Sequence, residues 1–416
     1  MNAKTDLNAE FNSLRPTEII QVIERCMEVQ RPCMIWGPPG IGKSDIIAQI
    51  GDRQKRPVID LRLLLMEPTD LKGIPYYDPE TREMRWAKPS DLPSIVNPQT
   101  LERARAALAQ AQAILETDET MTETQIEVMA RNVATLEGSL ELANAILFLD
   151  EINAAPQSVQ AAAYQLILNR RVGEYELPSG VSIIAAGNRE TDKAVTFRMP
   201  SALANRFVHF EMKANYEDWE NWAIESRVSA DVIGFLTTHK QYLFDFNPRS
   251  SGKAFATPRS WTFVGQLLDD NLSEKLNQAM VAGTVGLGLA GEFMQHRRLK
   301  GKLPDPRDIL EGRVTTLPKD KEVDVSAKYS LVIGMCYELE QMQNEYKEDK
   351  AKSDKDWAKV TDTFLTFMMG EGHFTKEMVI MGAVVALRKY KIAFESETPV
   401  FTKFYKAYQK WIVETV

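Results

Sequence analysis

Few side chains here could hold a transition metal or form a disulfide: the 416-residue chain has three cysteines and four histidines. Cys26, Cys33 and Cys336 show neither zinc-like nor redox spacing, so reduced thiols are expected rather than a disulfide framework. His209, His239, His296 and His373 are scattered, without an HExxH pair or a Cys cluster beside them, and no protein-bound transition metal is expected. The chain lacks any run of about 18 apolar residues that could span a bilayer. No apolar stretch follows the polar start MNAKTDLNAEFNS either, so no signal peptide and no membrane contact are expected, and the expected location is cytoplasmic. An excess of positive charge is also missing. Lys and Arg number 50 against 58 Asp and Glu, a net charge of -8. General nucleic-acid binding needs a basic stripe to contact phosphates, so nucleic acid is not an expected partner, although a local basic pore is compatible with this balance.

What the chain does have is an ordinary soluble composition, 44% hydrophobic and 26% charged, enough for a sizeable core. Its length suggests two or three domains on a prior of roughly 150 residues each.

A first helix is expected from Pro16-Thr17, since proline suits a first turn. Apolar runs at Cys33–Trp36, Pro57–Leu61, Ala145–Leu149, Val181–Ala186 and Val208–Phe210 read as strands. Continuous apolar runs, rather than alternating ones, indicate parallel strands buried on both faces. Helices are expected at Asp45–Ile50 and Gln157–Asn169, and the alternation predicts an α/β fold with crossover helices. Gly73 to Trp86 reads as a β-hairpin turning at Asp78-Pro79-Glu80-Thr81. Between about 98 and 142 the pattern changes. Leu101, Ala104, Leu108, Ala111 and Leu115 form one seam at helical spacing, and Ile126, Met129, Val133, Leu136 and Leu140 form another. Thr122 with Gln125 fits a capping box, so two antiparallel helices are expected to bury both seams. From about Tyr216 the pattern is helical to the end, with a plausible connector at Thr316–Val323 and a charged run at Lys347–Lys355. Phe401, Phe404, Tyr408 and Trp411 form an aromatic stripe, read as core packing, with a partner-docking face as the alternative.

Gly37-Pro38-Pro39-Gly40-Ile41-Gly42-Lys43-Ser44 satisfies G-x-x-x-x-G-K-[ST] between a strand and a helix. Such a loop turns backbone N–H groups toward phosphate oxygens; Lys43 would reach the β- and γ-phosphates, and the Ser44 hydroxyl would bind Mg²⁺. The helix that follows offers its positive end to the same anion. Binding alone does not hydrolyse ATP. A metal-orienting carboxylate and a base are needed, and ILFLDEIN supplies both in Asp150 and Glu151 at the end of a buried strand. Asn188 ends the next strand, where an amide can help position water. Arg206 in ALANRF and Arg259 in ATPRSW are candidate γ-phosphate contacts, because the guanidinium fork stays charged and binds in two places at once.

The order GPPGIGKS, ILFLDEIN, AAGN, ALANRF, ATPRSW resembles an AAA+ ATPase and, within that class, the MoxR-type ATPases. The likeness covers about Thr17 to Trp86 and Ala143 to Phe263, and MEPTDLKG before the hairpin looks like the family's helix-2 insert region. The resemblance implies Walker A at Gly37–Ser44, Walker B at Asp150 and Glu151, sensor 1 at Asn188 and sensor 2 at Arg259 in a helical lid. It also implies an arginine finger at Arg206 acting on the neighbouring subunit's ATP, with Arg189 and Arg198 as competitors. A finger used in trans requires a homo-oligomeric ring, usually a hexamer. Expected boundaries are 1–213 for the AAA+ α/β domain, 214–300 for the lid and 301–416 for a C-terminal helical extension. MoxR-type proteins typically act on a protein client beside a von Willebrand factor A-type protein, which here would be a separate chain. The helical insert and the last hundred-odd residues depart from what the family matches.

Gly286–Gly291 also satisfies G-x-G-x-x-G, but a helix and not a strand precedes it, so no dinucleotide site is expected; close helix packing by small residues is. Tyr76 and Tyr77 could grip a client chain in a ring channel or pack on the sheet. ATP-driven remodelling of a protein is the leading function. An ATP-dependent assembly scaffold and, less favoured by the acidic balance, a DNA motor are the alternatives.

Overall fold

The computed structural model describes residues 13–89, 91–93, 98–117, 122–192, 197, 199–250, 252–318, 323–348 and 354–414. They form two compact units, Met1–Lys213 and Ala214–Val416. Arg198, the tip of the helical insert, the first twelve residues, residues 319–322 of the connector and 349–353 of the charged run lie outside the described residues.

The described residues of the first unit include ten strands: β1 Ser13–Leu14, β2 Cys33–Trp36, β3 Val58–Arg62, β4 Ile74–Asp78, β5 Glu83–Ala87, β6 Ile146–Asp150, β7 Arg171–Val172, β8 Tyr175–Glu176, β9 Ser182–Gly187 and β10 Val208–Met212. Six of them make one sheet in the order β1-β10-β2-β9-β6-β3. Every neighbouring pair is parallel. The apolar runs are buried as their continuity requires: Ile146 to Leu149 and Val181 to Ala186 are each at most 3% exposed. Arg56 secures the entry to the neighbouring strands β6 and β9, donating to the carbonyls of Asn144, Ala145 and Gly180 and to Ser182 Oγ at 2.6–3.2 Å. The helix Gln157–Asn169 packs its Val159, Ala163, Leu166 and Ile167 into the core formed with Leu147, Leu149 and Ala185. Two small elements were not foreseen, the edge strand β1 and the ribbon β7–β8. At two residues each, they are too short for any periodicity to announce them.

The insert is two helices, Pro98–Thr117 and Glu123–Glu141. Thr122 Oγ1 accepts from the Gln125 amide at 3.3 Å while Gln125 Oε1 accepts from the Thr122 amide at 2.9 Å, the expected capping box. Leu101, Ala111 and Val133 are buried along the seam, but Leu140 is 39% exposed, so the seam frays at its last position. Hairpin β4–β5 forms a separate two-stranded sheet in which Tyr76 is 46% and Tyr77 58% exposed. The option that both tyrosines pack on the main sheet is thereby corrected.

The second unit is helical from Tyr216–Glu225 to Pro399–Glu414. One hydrophobic core runs from Tyr216 to Phe404, so the segments on either side of residue 300 share it. Phe401, Phe404 and Tyr408 of the aromatic stripe pack on that core, whereas Trp411 is 37% exposed with Lys376 Nζ 3.0 Å above its ring. Around Gly286 a helix, Glu274–Val285, precedes the glycine pattern and another, Leu287–Lys300, contains it. Close packing does not explain those glycines. A Cβ at Gly288 or Gly291 would meet nothing within 4 Å, and only Gly286, at φ +95°, has a backbone reason to be glycine. No helix among the described residues is long and apolar enough to cross a membrane.

Candidate functional site

Three strands of the main sheet, β2, β6 and β9, end side by side, and each hands the chain to a polar residue. After β2 comes the phosphate loop. Gly40 (φ +77°) and Gly42 (φ +93°) take left-handed conformations, and Gly42 caps the helix Lys43–Gln54. Ile41, only 4% exposed, plugs the loop onto the body of the unit. The loop therefore presents the N-terminal end of a twelve-residue helix, whose unpaired N–H groups and dipole favour an anion.

Lys43 Nζ donates to the carbonyls of Gly37 (2.7 Å) and Pro38 (3.0 Å) and to Asn188 Oδ1 (3.1 Å). Ser44 Oγ donates to Asp150 Oδ2 at 3.0 Å. Lys43, Ser44, Asp150 and Asn188, from three strand ends, thus form one connected cluster. A hydroxyl and a carboxylate so placed are hard oxygen donors of the kind magnesium takes, and could share one ion with nucleotide phosphates. Asp60, on the neighbouring strand β3, adds negative charge here: burial and then the Asp150 charge push its carboxyl above the usual range, and Arg62 only partly opposes them.

Glu151 follows Asp150 in an unusual backbone state. Its φ is +54°, the left-handed region that costs a non-glycine residue about 1 kcal/mol or more. Hydrogen bonds hold the turn: the Glu151 amide donates to Asp150 Oδ1 (2.8 Å), and Ile152 and Ala154 amides donate to Ala186 and Glu151 carbonyls at 3.1 and 2.9 Å. The strained conformation turns the chain directly at the end of β6.

Asn153 supports this turn, and sequence reasoning missed it. Its Nδ2 donates to the Asn188 carbonyl at 2.7 Å, while its backbone carbonyl accepts from Phe197 at 2.6 Å. The side chain is 2% exposed and its Oδ1 has no hydrogen-bond partner among the described residues. Gly187 is glycine for the same reason, since a Cβ there would sit 2.4 Å from Asn153 Oδ1. No local sequence signal marks it, because its partner is the Asn188 carbonyl, 35 residues along the chain.

The arginines divide. Arg189 is engaged within its own unit, 2.8 Å from Asp192 and 2.6 Å from Glu211. Arg206 is exposed just after the short helix Ser201–Ala204, and its guanidinium has no hydrogen bond or ion pair among the described residues. Arg259 is exposed in the first turn of the helix Pro258–Leu267, in the second unit. The cluster thus gathers Gly37–Ser44, Asp150, Glu151 and Asn188, and among the described residues of this unit Arg206 makes no hydrogen bond to it.

A parallel sheet with crossover helices and a phosphate loop at the strand ends defines a P-loop ATPase. Residues 33–213 match the model of the family described as "ATPase family associated with various cellular activities (AAA)". The first unit is an AAA+ ATPase domain of P-loop α/β fold, and the protein is an ATP hydrolase. None of the curated proteins compared matches the chain. Among solved structures, a "putative ATPase" from Cytophaga hutchinsonii ATCC 33406 is similar at 12% identity and a TM-score of 0.30, over 96% of this chain and 87% of that one. A point mutant of RuvB from Thermotoga maritima is similar at 12% identity and a TM-score of 0.32, over 71% and 73%. Likenesses this distant add nothing to the domain assignment.

Proposed function

We propose that the chain is a MoxR-type AAA+ ATPase, working in the cytoplasm as a homo-oligomeric ring, with hexamer the expected size, and spending ATP at subunit boundaries to remodel or activate a protein client. A separate von Willebrand factor A-type protein would be its partner. Gly37–Ser44 hold the phosphates, with Lys43 exchanging its carbonyl and Asn188 contacts for β- and γ-phosphate oxygens. Ser44 and Asp150 hold Mg²⁺, which when bound neutralises charge on the phosphates. Glu151 takes the proton of the attacking water, Asn188 positions that water, and Arg259 acts as a lid sensor. Hairpin β4–β5, with Ile74, Tyr76, Tyr77 and Met84 all exposed, is the surface that meets the client.

The observation that supports a shared site is Arg206. Among the described residues it stands exposed without a hydrogen bond or ion pair, whereas Lys43 bonds Asn188 and Ser44 bonds Asp150, and a guanidinium so placed suits a phosphate supplied by a neighbour. Mixing two inactive variants tests this. Glu151→Gln chains keep Arg206 but lack the base, and Arg206→Ala chains keep the base. Recovered ATP turnover in the mixture is the expected result; turnover no higher than the sum of the separate variants would remove the trans assignment.

A further inference from the structure

One histidine near the site has a role that phosphate binding and hydrolysis do not use. Trp36 closes β2 immediately before the phosphate loop, and its Nε1–H donates to His209 Nδ1 at 2.9 Å. The two rings are nearly parallel, 15° apart in plane. With Nδ1 accepting, the proton of the neutral ring is on Nε2, and Nε2 lies 2.7 Å from the carbonyl of Ala204. Ala204 ends the helix that leads, two residues on, to Arg206. Phe207 stands edge-on to the same ring at 6.2 Å. A continuous bonded path therefore runs from the root of the phosphate loop, across β10, to the backbone that carries the exposed arginine.

We propose that His209 is a positioning residue that ties the Arg206 segment of a subunit to that subunit's own phosphate loop through Trp36. Each subunit thereby sets the arginine it offers its neighbour according to the state of its own nucleotide site. Trp36 adjoins Gly37, whose amide donates to the Gly187 carbonyl at 3.3 Å, so a shift of the loop is felt at the indole and passed to the Ala204 carbonyl by a ring that can bond in only one sense. Simple strand-to-strand pairing would not do this, because Ala204 is outside the sheet: its carbonyl accepts locally from the Phe207 amide at 3.2 Å, and the His209 side chain is what ties it to Trp36. The inference rests on Arg206 acting in trans.

The mixture of Glu151→Gln and Arg206→Ala chains supplies the test, because its active sites take their arginine only from the Glu151→Gln chains. His209→Ala is placed first in those donor chains and then, separately, in the Arg206→Ala chains. Losing a bond that fixes the donated arginine is expected to lower recovered turnover about tenfold in the first placement. Little change is expected in the second, and nucleotide affinity should stay the same in both. His209→Gln in the donor should restore most of the loss, since its amide can accept from Trp36 and donate to Ala204. If His209→Ala does not fold, Trp36→Phe, which keeps an aromatic ring and removes the donor, carries the same expectation. Equal loss in both placements, or no loss in the donor, overturns the proposal while leaving Arg206 in trans intact. No recovery even with His209 present overturns the trans reading, and this inference falls with it.

Discussion

The two units bury polar groups for different ends. Among the described residues of Met1–Lys213 the buried polar ones are Asn153, Gln160, Ser182 and Asp192, and two of them, Asn153 and Asp192, brace the ends of β6 and β9. Among the described residues of Ala214–Val416 there are more: Asp231, His296, Ser326 and Ser330 join helix to helix, and Asn277 holds the loop before its own helix. A parallel sheet satisfies its own backbone along its length and leaves polar needs only where strands stop, which is where ligands sit. A helical unit has many more ends, each with unpaired N–H and C=O groups, and must spread its polar side chains among them. Polar burial is therefore a sign of chemistry in the first unit and of assembly in the second.

The largest expected effect breaks the first unit's chemistry without touching its fold. Glu151→Gln should bind ATP yet lower phosphate release by about a hundredfold or more, as removal of a general base does. Undiminished release would mean that Glu151 is not the base. Glu151→Gly is the sharper companion. It should be equally inactive but more stable than Glu151→Gln by about 1 kcal/mol in urea unfolding, because it releases the left-handed strain at φ +54°.

In the second unit the comparable change should cost fold rather than chemistry. Asp231, 7% exposed, pairs with Arg297 Nε at 3.1 Å and with Lys300 Nζ at 2.9 Å, the latter an ion pair and not a well-aligned hydrogen bond. Burial alone would raise its carboxyl, but the cations outweigh burial and hold it below the usual value. Asp231→Ala removes the buried partner of Lys300 and of Arg297, which keeps only Asp270, and should cost about 3 kcal/mol, read from the urea midpoint. A loss confined to a few tenths would place this network among surface pairs instead.

How much of this was legible in sequence follows the same division. Five of the six main-sheet strands, all but the two-residue β1, and the cluster of Lys43, Ser44, Asp150 and Asn188 were readable because apolar continuity and a fixed-spacing loop are local signals. Asn153 was not, since its partner is a carbonyl 35 residues away. The left-handed Glu151 was not either, because glutamate carries no mark of that conformation. In the second unit, helical periodicity gave helices but not their contacts, and the glycine pattern at 286–291 was read as close packing that is not there.

Acidity offers a smaller, graded probe of the second unit. His296, 4% exposed, bonds Ser326 through Nδ1 at 2.6 Å and Ser330 through Nε2 at 3.2 Å. Burial holds its pKa below the ordinary value, against the raising influence of Asp231 and Asp324. The unfolded chain therefore takes up this proton first as pH falls through about 6.5, and stability drops across that window. Urea midpoints should fall on acidification in the parent protein and fall less in His296→Gln. An identical pH slope in the variant would show that other groups carry it.

Gly291→Ala is the mildest change and the one that most directly tests what glycine is for in this unit. Gly291 lies inside the helix Leu287–Lys300, is exposed, and a Cβ there would meet nothing within 4 Å. With no clash and an ordinary helical backbone, alanine only removes freedom from the unfolded chain and should stabilise the protein by about 0.5–1 kcal/mol. Gly187→Ala, where Asn153 Oδ1 lies 2.4 Å from the added carbon, should do the reverse and also slow turnover by moving Asn188. Opposite signs at two glycines, one open on a helix and one closed at the site, follow from the contrast between the units. Destabilisation by Gly291→Ala would instead mean that this face is packed against something in the working assembly, and the open helix would then have to be counted as an interface.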